Sequence, residues 1–228
     1  PAWRDVIGWA GLVILVLLLT GLWAWWPKGS WRKALRYKTG APTVRTLRDI
    51  HKLAGLANLP LLLILVTTGV MLALPGTSNA FLAHMTGPVE KAPSPKSMPA
   101  ERPQISIGQA LVGAHRAMPQ GRLAWIEAPG QPSGTFVVRV QQPGDPSYRF
   151  PHSYVFVDQF SGAIVGSQDS QRASASTVIN NWLHPLHDAS AGGIYLRSLA
   201  TIAGLTPAIM FVTGLLRWRR RNIQKSAK

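Results

Sequence analysis

Three apolar blocks without a single charged residue constrain this chain more than any other feature. They occupy residues 6–26, 53–74 and 199–216. Each approaches the roughly 20 residues that a helix needs to cross a hydrocarbon core of about 30 Å. The sequence therefore predicts an α-helical membrane protein with three transmembrane helices. The formal charge of +15 does not indicate a nucleic-acid-binding protein, because the apolar residues are gathered into spans.

The distribution of basic residues predicts how the spans are oriented. Residues 27–48 hold seven Lys or Arg and residues 217–228 hold six, with no acidic residue in either segment, whereas residues 76–194 hold eight basic and seven acidic residues. Short basic segments stay on the cytoplasmic side, where they meet anionic lipid headgroups. We therefore expect the first residue outside and the C-terminus in the cytoplasm. Because Pro1 is not an initiator, we also expect an upstream segment or another subunit to supply further spans.

The long segment between the second and third spans carries the pattern of a small α+β domain. An amphipathic helix follows Ser106, a predicted N-cap, and alternating apolar residues then predict strands at 122–128, 135–141, 154–158 and 163–167. This order predicts one helix followed by an antiparallel meander. The chain has no cysteine, so this domain is stabilised by packing alone, and thiolate-bound metals are excluded.

A threonine-glycine pair recurs in the last third of each span. The three pairs are Thr20-Gly21, Thr68-Gly69 and Thr213-Gly214. Small residues let helix backbones approach closely, and threonine hydroxyls form hydrogen bonds across helices. The repeat therefore fits close packing of the spans, and it also fits the lining of a cofactor pocket.

Two histidine motifs at span ends, together with one turn, carry a resemblance to a known family. The second span opens with Ile50-His51-Lys-Leu-Ala-Gly55, and the third is preceded by Pro185-Leu186-His187 with Gly192-Gly193. The run Val-Phe-Val-Asp158-Gln-Phe-Ser-Gly162 is similar to the strand and turn of the PepSY domain. The chain as a whole resembles the last three spans of the PepSY-associated transmembrane family, whose members typically have four.

That resemblance implies a multi-pass protein of the bacterial inner membrane, with a periplasmic PepSY-like domain and a link to iron uptake. Some members are ferric-siderophore reductases with two b-type haems. In those members, segments that correspond to positions upstream of this chain supply partner histidines. The resemblance thus makes haem b the expected cofactor and a ferric siderophore the candidate substrate.

The expected division of the chain follows from the spans, the basic segments and this resemblance. It comprises transmembrane helix 1 (1–27), a basic cytoplasmic loop (28–50), transmembrane helix 2 (51–75), a proline-rich periplasmic linker (76–104), the PepSY-like domain (105–170), a periplasmic connector with the second histidine motif (171–193), transmembrane helix 3 (194–217) and a basic cytoplasmic tail (218–228).

His51 and His187 are the candidate axial ligands of haem iron. Neutral imidazole binds haem iron well, and b-type haem needs no covalent attachment. The two histidines belong to opposite faces of a bilayer of about 30 Å, so they require two haems. We expect Gly55 and Gly192-Gly193 to make room beside them. The alternative is that both are interfacial histidines bonded to headgroups or carbonyls.

The other histidines have weaker patterns. His184 lies one turn before His187 and is a substitute or supporting ligand, while Asp188 is a candidate acceptor for the imidazole of His187. The remaining histidines are interpreted as surface residues: His84, His115 and His152.

Two functions remain open from the sequence. One is transmembrane electron transfer through b-type haem, with reduction of iron in a siderophore as the candidate reaction. The other is a non-enzymatic membrane subunit of a larger complex, in which the PepSY-like domain binds a partner protein. No catalytic residue is assigned, because no Ser/His/Asp set, paired carboxylates or phosphate-binding glycine loop has interpretable spacing.

Overall fold

A computed structural model of the protein describes residues 2–226 and divides the chain into two units. Pro1–Leu74 and Leu186–Lys228 form one, here called the membrane unit, and Pro75–Pro185 form the other, the sheet unit. The helices are α1 (Ala2–Trp25), α2 (Trp31–Ala34), α3 (Thr43–Ala73), α4 (Pro75–Thr86), α5 (Ile107–Ala117), α6 (Ala175–His187), α7 (Gly193–Ala203) and α8 (Thr206–Ser226). The strands are β1 (Arg122–Glu127), β2 (Thr135–Gln141), β3 (Ser153–Asp158) and β4 (Ile164–Gln168).

Three helical segments of the membrane unit are long and apolar enough to cross a membrane. They are α1, α3 and the stretch Ser190–Ile223, which contains α7 and most of α8. The predicted three spans are therefore confirmed. Helix α3 lies between the other two and packs against both α1 and α8.

Glycines set how closely α1 approaches α3. A Cβ atom on Gly11 would lie 2.7 Å from a methyl group of Val70, and one on Gly8 would overlap the side chain of Leu74. The N-terminal half of α1 is thus in close contact with the C-terminal end of α3. At Gly21, near the other end of α1, no atom lies within 4 Å of such a Cβ. The two helices therefore leave space between them at that end.

The third span is interrupted before Pro207. Helix α7 ends at Ala203 and α8 begins at Thr206, so Pro207 is the second residue of the new helix. A proline in the first turn of a helix costs no hydrogen bond, because amide groups there have no partner within the helix. The third span therefore consists of two helices with a break just before this proline.

The sheet unit contains a four-stranded antiparallel sheet in the order β1-β2-β3-β4, with α5 packed on one face. Helix α5 begins after Ser106, whose hydroxyl accepts from the backbone N–H of Gln109 in a complete capping box, so the predicted cap is confirmed. The inward side chains of the strands meet small residues of α5, and the buried core consists of Ala110, Ala114, Met118, Phe136, Val138, Val140, Val155 and Val157. The predicted helix and antiparallel meander are confirmed.

The turn between β3 and β4 is built on Asp158. Its Oδ1 accepts hydrogen bonds from the backbone N–H groups of Phe160 (2.9 Å) and Ser161 (2.7 Å) and from the Ser161 hydroxyl (2.9 Å). Burial opposes the charged form, but these hydrogen bonds outweigh it and lower the pKa of Asp158 to about 2. Gly162 closes the turn at φ +73°, a conformation that glycine adopts without strain.

The segment before α5 is anchored to the sheet unit. The side-chain oxygen of Ser97 accepts from the backbone N–H of Gln159 at 3.0 Å, and the Ser97 N–H donates to the carbonyl of Ser133 at 2.9 Å. Ser97 is only 3% exposed. This proline-rich segment therefore has fixed contacts at its centre.

Candidate functional site

His187 is held by α3. Its Nδ1 lies 2.9 Å from the carbonyl oxygen of Leu65 and 3.3 Å from the hydroxyl of Thr68. A carbonyl only accepts hydrogen bonds, so Nδ1 carries the proton in the neutral ring. The Thr68 hydroxyl donates to the carbonyl of Ile64 at 2.7 Å and so presents a lone pair to the same N–H. The Nε2 lone pair of His187 is therefore available to a ligand.

His51 is held by α8 in the same way. Its Nδ1 lies 3.0 Å from the carbonyl oxygen of Met210 and 3.1 Å from the hydroxyl of Thr213. The Thr213 hydroxyl donates to the carbonyl of Ile209 at 2.7 Å. Nδ1 is again the protonated nitrogen of the neutral ring, and Nε2 is the atom with a lone pair.

We call this arrangement a histidine seat: a threonine, the carbonyl three residues before it, and the glycine after it. The seat of His187 ends in Gly69, where a Cβ would lie 2.8 Å from the imidazole Cε1. The seat of His51 ends in Gly214, where the same distance would be 3.6 Å. Both glycines thus face the ring, and the contact at Gly69 is the tighter.

The two seats are far apart along the membrane unit. His51 and Thr68 both lie on α3 and are separated by 17 positions, which is roughly 26 Å at 1.5 Å per helical residue. One haem iron cannot bind both histidines across that length. A metal or cofactor at His51 and one at His187 would therefore occupy two separate sites.

A cavity of about 610 Å³ lies beside His51. One part of its wall is apolar and includes Leu18, Leu22 and Leu56. The other part is strongly basic and contains Lys33, Arg36, Arg45, Arg48, Lys52 and Arg217. Such a cavity suits an amphipathic ligand with an apolar body and acidic groups at one end. A second cavity, of about 420 Å³, also includes His51, together with Gly214 and Trp218.

Asp49 is the acidic residue in the wall of the larger cavity. It is 1% exposed, and its carboxylate lies 3.4 Å from Nζ of Lys52 and 3.5 Å from the guanidinium of Arg48. A third cation, Arg45, lies 3.9 Å away. The basic side chains around the cavity outnumber this one carboxylate, so the cavity keeps a net positive charge.

Residues 1–221 match the family described as the PepSY-associated TM region. The chain belongs to this family. The match includes both histidine seats and the whole sheet unit, which confirms the family expected from the motifs. No curated protein matches the chain.

The second family motif contains His187, and His184 lies one turn before it. The seat on α3 holds His187. His184 and His187 are both exposed on α6, so the difference between them lies in their hydrogen bonds. The Asp188 carboxylate accepts from the backbone N–H of Ser190 at 2.9 Å, while the acceptors at Nδ1 of His187 are Leu65 and Thr68. These positions favour His187 over His184 as the ligand, which stays a prediction.

The remaining histidines lie in the sheet unit. His84 and His115 are exposed, as expected of surface residues. His152 differs, because its Nδ1 lies 3.0 Å from a carboxylate oxygen of Asp145, which is itself buried. Within residues 2–226, no group of three or more His, Asp or Glu side chains could hold a metal ion. The candidate ligands are thus single imidazoles.

The glycines in direct contact with the imidazole rings differ from the expected ones. Gly55 faces the terminal methyl group of Met210 at 3.1 Å, and Gly193 has φ +59° at the start of α7. The glycines that face the rings, Gly69 and Gly214, lie on other spans. Gly55 nevertheless lines the cavity that includes His51, as expected. At Gly192 the nearest atoms belong to Leu196 and not to His187. The repeated threonine-glycine pair is the sequence feature that could have identified Gly69 and Gly214.

Proposed function

We propose that this protein transfers electrons across the bacterial inner membrane through two b-type haems, with His51 and His187 each supplying one axial nitrogen. The observation that carries the proposal is the equivalence of the two seats. In both, Nδ1 donates to a backbone carbonyl and a threonine oxygen, and Nε2 is left with its lone pair. Haem would supply reversible one-electron transfer at its iron.

The hydrogen bonds at Nδ1 are those that a metal-binding histidine requires. Fixing this N–H selects the tautomer, orients the ring and increases the basicity of Nε2. A histidine that only anchored a span end to a carbonyl would not need the same threonine and glycine on two spans. The repeated seat therefore favours ligand binding over simple anchoring.

The cavity beside His51 fits the chemistry of haem. Its leucines would contact the apolar macrocycle, and basic side chains such as Arg36 and Arg45 would pair with the carboxylates. Arg presents a planar pair of N–H groups that matches a carboxylate. The protein would thus orient haem through its carboxylates as well as through its iron.

The basic segments support an orientation of the two sites in the membrane. The predicted cytoplasmic loop precedes α3, so His51 would lie near the cytoplasmic face and His187 near the periplasmic face. Two haems at these depths would connect the two sides of the membrane. The acceptor we propose is ferric iron in a siderophore on the periplasmic side, which makes the protein an oxidoreductase.

Absorption spectra of the purified full chain, oxidised and then reduced with dithionite, test the proposal. We expect a Soret band that each of His51→Ala and His187→Ala lowers by about half, because each variant loses one of two iron-binding nitrogens. His84→Ala, a change at an exposed histidine of the sheet unit, is the matched control and leaves the band unchanged. A well-folded protein that retains no Soret absorption after incubation with haem and removal of the unbound haem contradicts the proposal.

A second candidate function has its own observation. The sheet face opposite α5 carries exposed aromatic residues, with Trp125 at 48% and Tyr148 at 72% exposure, and the Arg122 guanidinium lies 4.2 Å from the ring centre of Tyr148. Exposed aromatic and arginine side chains are typical of protein interfaces. This face supports a membrane subunit whose sheet unit binds a partner protein. If the chain is purified without haem but with a stoichiometric partner protein, and Trp125→Ala abolishes the association with that partner, this function is favoured.

A further inference from the structure

We propose that the cavity of about 420 Å³ beside His51 binds the headgroup of an anionic phospholipid, held by Arg217 and Arg221. The proposed electron transfer uses the larger cavity and leaves this one without a role. The lipid site itself rests on the residues that line the smaller cavity and does not depend on haem.

The smaller cavity is positively charged. Arg217 and Arg221 lie one helical turn apart on α8, so they belong to one face of the helix. Among the described residues that line the cavity, none is acidic. Each guanidinium presents paired N–H groups that match the oxygens of a phosphate. Two of them on one face therefore form a site for a phosphate group.

The cavity lies where α8 changes from apolar to basic. Phe211, Leu215 and Trp218 are exposed and follow one another along one stripe of the helix, and residues 217–221 contain four arginines. Exposed tryptophan and arginine side chains at the end of a span mark the depth of the lipid headgroups. An acyl chain can therefore follow Phe211 and Leu215 while the phosphate reaches the arginines.

These features favour a phospholipid over a free anion or a soluble acidic protein. The tail after α8 is expected on the cytoplasmic side, where the leaflet surface is rich in anionic lipids, and basic pockets beside spans on that side bind their headgroups. The apolar stripe next to the arginines matches acyl chains, which neither inorganic phosphate nor a soluble protein supplies.

Arg217 connects the lipid site to the candidate haem site. Arg217 and His51 line both the smaller and the larger cavity. A phosphate bound to Arg217 adds negative charge beside His51, and negative charge stabilises ferric iron relative to ferrous iron. This consequence rests on the proposed haem function: an anionic lipid lowers the midpoint potential of the haem at His51.

Titration of the haem-free full chain with phosphatidylglycerol in detergent, followed by native mass spectrometry, tests the lipid site. We expect saturable binding, and weaker binding of the zwitterionic phosphatidylcholine. Arg217→Gln and Arg221→Gln should each raise the half-saturating concentration by roughly fivefold, the effect of one basic side chain at a membrane surface. Arg219→Gln and Arg220→Gln change arginines of the same helix outside the cavity wall, so they are the matched controls and leave it unchanged.

Equal affinity in Arg221→Gln and the wild type overturns the proposal. Equal losses in all four variants also overturn it, because they would reflect a general attraction to the basic tail. Inorganic phosphate is the second probe, and we expect that an equal concentration of it does not displace the lipid. Displacement would overturn the assignment to a lipid, since the acyl chains would then contribute nothing. Because no haem is present, these outcomes are independent of the proposed electron transfer.

Redox titration of the haem-loaded chain tests the link to His51. The chain is placed in nanodiscs of phosphatidylcholine, with or without an equal amount of phosphatidylglycerol. We expect phosphatidylglycerol to lower the midpoint potential of the haem at His51 more than that of the haem at His187, and Arg221→Gln to remove this difference. A difference that persists in Arg221→Gln would come from the membrane surface as a whole and overturn the link, as would equal potentials in the two membranes.

Discussion

The sheet unit and the membrane unit use hydrogen-bonded polar side chains in different ways. In the sheet unit, Oδ1 of Asp158 accepts hydrogen bonds from two backbone N–H groups and a hydroxyl of its own turn. In the membrane unit, each of His51 and His187 has one ring nitrogen fixed and the other left with a lone pair. The first arrangement stabilises a turn, and the second positions an atom that can bind something else. Changes in the sheet unit should therefore alter stability, and changes at the seats should alter binding.

The largest effect is expected at the Asp158 turn. Asp158→Ala removes the charged acceptor of the Phe160 and Ser161 N–H groups. A hydrogen bond to a charged group contributes about 1.5–3 kcal/mol, so we expect a loss on the order of 3 kcal/mol in the stability of the sheet. Hydrogen exchange of the β3 and β4 amides in the full chain measures it. Haem content should not change. A loss of haem in this variant would contradict the separation between the two units' roles.

The pH dependence of the same turn comes next. The pKa of Asp158 is lowered to about 2 from its ordinary value of about 3.9, so the unfolded state binds more protons between these pH values. The stabilisation is present above about pH 4 and is lost as the pH falls toward 2, by roughly 2 kcal/mol. Amide exchange of β3 and β4 as a function of pH checks this, and Asp158→Asn should remove that part of the pH dependence. An unchanged pH profile in Asp158→Asn would assign the acid sensitivity to other groups.

The two seat glycines sharpen the comparison within the membrane unit. A Cβ at position 69 would lie 2.8 Å from the ring of His187, and one at position 214 would lie 3.6 Å from that of His51. Overpacking of this kind costs about 1–3 kcal/mol, so Gly69→Ala should displace His187 and weaken haem binding there by roughly tenfold or more. Gly214→Ala is the matched control, because 3.6 Å is an ordinary contact. Haem titration of both variants measures the difference, and equal losses would show that the seats do not act through this contact.

The sequence was sufficient for the three spans, α5 and the strands, but not for helices α4 and α6, which lie in the expected linker and connector, nor for the partners of the histidines. Uncharged apolar length predicted the spans, alternation of valine and aromatic residues predicted the strands, and Ser106 marked the start of α5. The partners of the histidines were not predictable, because Thr68 is 119 residues from His187 and Thr213 is 162 residues from His51. Periodicity along a helix does not show which other helix it faces. The threonine-glycine repeat is present in the sequence, but close helix packing explains it equally well there. Only the structure shows that two of the three pairs contact an imidazole.

The smallest of the expected effects is at the seat threonines, and it tests the seats most directly. Thr68→Val and Thr213→Val keep the shape of the side chain and remove the oxygen beside Nδ1, while the carbonyl of Leu65 or Met210 remains as an acceptor. Because one of two acceptors persists, we expect haem affinity at the corresponding site to fall by roughly tenfold, at the low end for a lost supporting group. The midpoint potential of that haem should also rise, because a less basic nitrogen stabilises the oxidised iron less. Redox titration of the two variants measures both sites separately.

Thr67→Val changes the threonine next to Thr68, outside the seat, and should leave both affinity and potential unchanged. If Thr68→Val and Thr67→Val behaved alike, the threonine of the seat would be a packing residue, and only the carbonyl would position the ring.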